Sequence, residues 1–88
     1  MFIGVDGVSE TGGITTYSEQ EAQIAKALIA RSQLTIAVFD HTKVGKTSLF
    51  SIAPLSHIHS FITDEPLTQS VAAEAARLGI DVQLCDDN

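Results

Sequence analysis

Thr35-Ile36-Ala37-Val38-Phe39-Asp40 decides the fold: β-branched and apolar residues in an unbroken run that stops on a carboxylate. Extended back to Leu34, the run shows no polar alternation, which predicts a strand buried on both faces, the condition of parallel sheets. Working outward, Phe2-Ile3-Gly4-Val5 runs into Asp6, and Phe61-Ile62-Thr63 into Asp64, in the same manner. Helical segments lie between these runs, so the expected fold is α/β: a mostly parallel sheet of about four or five strands with two main helices. An aspartate after a strand has an ordinary use in capping the next turn. Three in equivalent places predict a shared edge, and open parallel sheets bind ligands just outside their carboxyl ends.

The remaining elements follow from local signals. Asp6 to Tyr17 is rich in Gly, Ser and Thr and reads as a loop. Ser18 with Glu21 three residues on forms a capping box, and Ala22, Ala25, Leu28 and Ile29 recur at helical spacing up to about Arg31. His41 to Thr47 reads as a second polar loop, Ser48 to Ile52 as a short strand, and Pro54-Leu55-Ser56 as a turn. Pro66 suits a first helical turn, Val71, Ala72, Ala75, Ala76 and Leu78 line one helix face, and Gly79 is placed to end it. Ile80 to Leu84 is a last strand, and Asp86-Asp87-Asn88 a tail.

Composition narrows the function classes. Eighty-eight residues make one small domain at most, with a limited core. Five basic residues stand against eleven acidic ones, a net charge of −6 that repels phosphate backbones, so the chain is not expected to bind DNA or RNA by itself. No apolar run reaches the length of a membrane span. The single Cys85 excludes an internal disulfide and fits a reducing cytoplasm, and its acidic neighbours argue against a nucleophilic role. The chain opens directly on a strand, and its mean hydropathy is high for an acidic protein. Both features predict a C-terminal piece of something larger, with apolar surface for another segment or copy to cover.

Three motifs merit weighing. Gly45-Lys46-Thr47 has the end of a phosphate-binding P-loop, but Asp40 stands where the first glycine belongs and no helix follows. His57-x-His59 has a metal-compatible spacing but no third ligand nearby, so packing or surface histidines are expected. The third set is Asp6-Gly7, Gly12-Gly13, and Thr15-Thr16 before the capped helix, with Asp40 and Lys43 at the neighbouring strand end. Backbone N–H groups of a glycine loop and a helix start can hold an anion, carboxylates accept hydroxyl donors, and a lysine supplies a point charge. An anion bearing several hydroxyls would satisfy every part. Glycines that merely shape a connection, beside a solvated Lys43, fit the same residues equally well.

The ordered blocks Asp6-Gly7-Val8-Ser9, Gly12-Gly13-Ile14-Thr15, Asp40-His41-Thr42-Lys43-Val44-Gly45, Ile52-Ala53-Pro54-Leu55 and Phe61-Ile62-Thr63-Asp64 resemble the effector-sensing domain of DeoR-type sugar-catabolism repressors. That resemblance runs nearly end to end and implies part of a sensor similar in fold to ribose-5-phosphate isomerase and glucosamine-6-phosphate deaminase. It implies a phosphorylated-sugar effector lined by Asp6, Gly7, Gly12, Gly13, Thr15, Thr16, Asp40 and Lys43, with no cofactor, no metal and no catalysis. It further implies DNA binding only through an N-terminal winged helix that these 88 residues do not contain. Missing strands would leave sheet edges open, so the chain is expected to form a homo-oligomer. Ala25 stands where the family usually has a lysine, with Lys26 beside it. The related isomerases have an Asp-Gly-Ala-Asp-Glu block; here it is Asp6-Gly7-Val8-Ser9-Glu10, and the loss of an acid favours binding without turnover.

Overall fold

The computed structural model describes residues 1–85; the predicted tail at 86–88 lies outside the described residues. Two sheets and two helices share one hydrophobic core. Strands β1 (Phe2–Gly4), β4 (Ile36–Val38), β6 (Ser60–Thr63) and β7 (Asp81–Leu84) form a fully parallel sheet in the order β1-β4-β6-β7. Strands β2 (Gly7–Ser9), β3 (Gly13–Thr16) and β5 (Phe50–Ala53) form an antiparallel sheet in the order β2-β3-β5. Helix α1 (Glu19–Arg31) packs on β3 and β5, and α2 (Gln69–Leu78) connects β6 to β7. The α/β class with a parallel sheet and two helices is therefore as expected.

Residues 6–17 are not a loop. They fold back as the hairpin β2–β3, with Gly7 opposite Thr15 and Ser9 opposite Gly13, and β5 completes the sheet. Short Gly-, Ser- and Thr-rich strands carry no periodic signal; tertiary pairing and burial of Val8 and Ile14 hold them extended. Gly13 shows the local constraint: its φ is +71°, and a Cβ there would lie 2.2 Å from the Ala53 carbonyl oxygen.

The helix caps divide. Ser18 Oγ accepts the Glu21 N–H at 3.2 Å, as the capping box requires, but the Glu21 carboxylate turns to Thr16 instead. Helix α2 begins at Gln69 rather than at Pro66, because Leu67 is first seated against the core on extended chain, and Gly79 ends the helix. The order of the parallel sheet makes each of its three connections a step to the next strand in one direction. Right-handed crossovers then place all the intervening structure on one side. Burial agrees: Ile3, Ala37, Phe61 and Thr63 are buried, while Phe2, Gly4 and Val38 on the opposite face are exposed. The expectation that the Leu34–Phe39 strand is covered on both faces is thus corrected. Among the described residues only one face is covered.

Candidate functional site

The parallel register aligns the three aspartates. Gly4 pairs with Val38 and Val38 with Ile62, so Asp6, Asp40 and Asp64 each stand two residues beyond the same row, at the carboxyl edge of adjacent strands. Their side chains take different partners. Asp6 Oδ2 accepts the Thr16 hydroxyl at 2.9 Å and the Tyr17 N–H at 3.1 Å. Glu21 Oε2 lies 3.1 Å from the same Thr16 oxygen, so one hydroxyl hydrogen stands between two carboxylates.

Asp40 caps a 3-10 turn over His41–Lys43, accepting both the N–H and the hydroxyl of Thr42. Those bonds hold its carboxyl below the usual range, and the Lys43 charge adds to the effect. Asp64 reaches across from the end of β6. It accepts the His41 N–H at 2.7 Å and pairs with His41 Nδ1 at 2.9 Å, with Glu65 at 3.5 Å from the same nitrogen. The His41 hydrogen bond lowers the Asp64 carboxyl, and the same bond raises the imidazole above its ordinary value.

Beyond the turn the chain is strapped to the hairpin. Gly45 N–H donates to the Val8 carbonyl at 2.7 Å, and Val44 forms a parallel bridge with Val8, which sets Lys43 beside Gly7. Gly7 has no room for a side chain: a Cβ would meet Thr15 Oγ1 at 2.5 Å and the Lys46 carbonyl oxygen at 2.6 Å. Thr15 is buried and uses its hydroxyl to accept the Ser48 N–H. Lys43 has no carboxylate within ion-pair distance among the described residues.

Asp6, Gly7, Thr15, Thr16, Asp40 and Lys43 therefore gather at one end of the hairpin, beside the sheet edge. Gly12 and Gly13 do not. They form the far end, about 7 Å along the ladder. There the Gly12 N–H donates to Ser9 Oγ, which also meets Thr47 Oγ1 at 3.1 Å, so both glycines serve the packing of the turn. The start of α1 is also a poor phosphate cradle, since Glu19 and Glu21 stand in its first turn.

Two further residues take part: Glu21, expected only to cap α1, meets Thr16, and His41, expected in a polar loop, meets Asp64. The adjacency of His41 to Asp40 at a strand end was the available signal. The Gly45-Lys46-Thr47 segment leads into β5 with no helix behind it. His59 Nδ1 accepts the Thr35 N–H at 3.0 Å, a packing role. No cluster of three metal-capable side chains occurs among the described residues.

Open parallel sheets bind ligands just outside the carboxyl ends of their strands, where Asp6, Asp40 and Asp64 lie. The family model described as the DeoR C terminal sensor domain matches residues 1–65, and the chain belongs to that family. It is 36% identical over 72 residues to an uncharacterized HTH-type transcriptional regulator of Haemophilus influenzae, covering 82% of this chain and 28% of the relative. It is 33% identical over 86 residues to the HTH-type transcriptional repressor GlcR of Bacillus subtilis, covering 98% of this chain and 33% of the relative. Against the glycerol-3-phosphate regulon repressor of Escherichia coli it is 25% identical over 83 residues, 94% of this chain and 33% of that one. The chain thus spans about a third of the length of the curated relatives it matches.

Proposed function

We propose that this chain is the sugar-phosphate-sensing part of a cytoplasmic transcriptional repressor of carbohydrate utilisation. One observation carries the reading: the register that lines up Asp6, Asp40 and Asp64, with Lys43 set beside Gly7 on the same rim. Sugar hydroxyls would donate to the Asp6 and Asp40 carboxylates, and Lys43 would take the phosphate. An effector that prefers one arrangement of the rim shifts the whole repressor between DNA-competent and released states, by linkage. The DNA contact belongs to another segment, because six net negative charges oppose a phosphate backbone. The repressor works as a homo-oligomer.

Binding without turnover is the better account of the rim. Ser9, which replaces an acid of the isomerase block, is engaged with Gly12 and Thr47 and offers no base. The test is thermal unfolding with hexose phosphates, free hexoses and inorganic phosphate. Hexose phosphates should raise the midpoint of the wild-type chain more than either component. Lys43→Gln should remove the phosphate-dependent part and leave the free-hexose shift. Equal shifts from phosphorylated and free sugars would overturn the role of Lys43, and turnover of ribose 5-phosphate would overturn the non-enzymatic reading.

A further inference from the structure

We infer that Asp64 and His41 are a positioning pair for the effector, holding the turn that presents Asp40 and Lys43 to the rim. The inference rests on the sensing role proposed above and adds two residues that act through their neighbours.

The carboxylate oxygens of the three aspartates divide by use. Asp6 engages only Oδ2, with Thr16 and Tyr17, and Asp40 engages only Oδ1, with the N–H and hydroxyl of Thr42. Among the described residues nothing donates to Asp6 Oδ1 or Asp40 Oδ2, so both can accept sugar hydroxyls. Asp64 differs. Its Oδ1 accepts the His41 N–H at 2.7 Å and its Oδ2 meets His41 Nδ1 at 2.9 Å, so both oxygens are turned to one neighbour.

That neighbour sits where the turn needs a hold. The Phe39 N–H donates to the Ile62 carbonyl at 3.1 Å, the last backbone bond from this side of β4 to β6, and the 3-10 turn over His41–Lys43 follows. On its far side the chain is tied to the hairpin, Gly45 N–H to the Val8 carbonyl. The turn thus spans from one sheet to the other, and the Asp64–His41 clasp is its hydrogen-bonded tie to the parallel sheet. Lys43 follows His41 by two residues, so a slack clasp lets its ammonium drift away from the Asp6 and Asp40 carboxylates. A site about 1 Å too loose loses much of its binding geometry.

A pH dependence follows from the same contacts. Asp64 and Glu65 after β6 and Asp40 at the end of β4 face the imidazole; the Asp64 bond first, then the other carboxylates, raise its pKa above 6.5. Losing that proton takes the charge out of the Nδ1 bond and removes a positive charge two residues from Lys43. Both weaken the hold on an anion as pH rises through the folded His41 value.

Isothermal titration with glucose 6-phosphate and fructose 6-phosphate, at about pH 5.5 and about pH 8.5, tests the pair. Asp64→Ala removes both bonds and should weaken binding about five- to tenfold. His41→Asn places an amide N–H close to the Nδ1 position, keeps the clasp and cannot titrate. It should match wild type at the higher pH and fall about two- to fivefold behind it at the lower. The phosphate of the ligand titrates near pH 6, approximately, but equally for both proteins, so it cancels in their ratio. This second comparison does not need Asp64→Ala to fold. Wild type that binds neither sugar phosphate overturns the sensing role and the positioning pair together. Binding that folded Asp64→Ala leaves unchanged, or a ratio of wild type to His41→Asn that does not move with pH, overturns the pair and leaves the sensing role standing.

Discussion

At the scale of single residues, His41 and Asp64 clasp two adjacent strand ends with two hydrogen bonds, and the clasp has a pH signature. The imidazole is raised above 6.5, first by the hydrogen bond to Asp64 and then by Glu65 and Asp40, so its contribution is full below 6.5 and fades as pH climbs through the folded value. Asp64 is lowered below 3.8, first by the same bond, so its contribution is present above that value and is lost as pH falls further. The pair therefore supports the fold best between about pH 4 and 6.5. Asp64→Asn should bring the His41 midpoint, followed by NMR, down toward 6.5, and should flatten the difference in melting temperature that wild type shows above that pH. An unmoved His41 midpoint would mean that the imidazole owes its shift to other neighbours.

At the scale of elements, the hairpin β2–β3 is the piece that builds the rim, and it depends on Gly13. A methyl group there meets the Ala53 carbonyl and must also adopt a positive φ. Gly13→Ala should cost about 2–4 kcal/mol and lower the melting temperature by roughly 10 °C or more, measured by circular dichroism. A change under ~1 kcal/mol would show that β3 and β5 can separate without consequence. This hairpin is also where sequence reading failed. Gly7, Ser9, Gly12 and Gly13 are loop formers by composition; Gly7 and Ser9 are held extended by pairing with β3, and β3 in turn by β5, whose Ala53 stands opposite Ile14. By contrast, α1 was legible from Ser18, Glu21 and the spacing of Ala22 and Ala25, because caps and periodicity are local. The start of α2 lies three residues beyond Pro66, since Pro66 is compatible with a first turn but the packing of Leu67 against the core is a tertiary demand.

At the scale of the whole molecule, net charge decides which phosphates the chain can approach. At −6 it repels a nucleic-acid backbone through water, and screening shortens that repulsion from about 10 Å at 0.1 M salt to about 3 Å at 1 M. The 88-residue chain should therefore leave a fluorescent DNA duplex unbound at about 0.1 M sodium chloride, read by anisotropy. Binding at that salt, lost on raising it, would show that a local cationic surface outweighs the net charge.

The strand-then-aspartate pattern by itself determined the parallel α/β class and placed Asp6, Asp40 and Asp64 at the ends of strands, because burial selects β-branched runs and turns select short polar residues. Only the tertiary structure decided that Gly12 and Gly13 lie away from the rim, that Glu21 and His41 join it, and that Val38 faces outward. Those outcomes depend on register and on which side the crossovers pass. Both are set by contacts between distant segments, and an apolar run reads the same in sequence whether one face or two are covered.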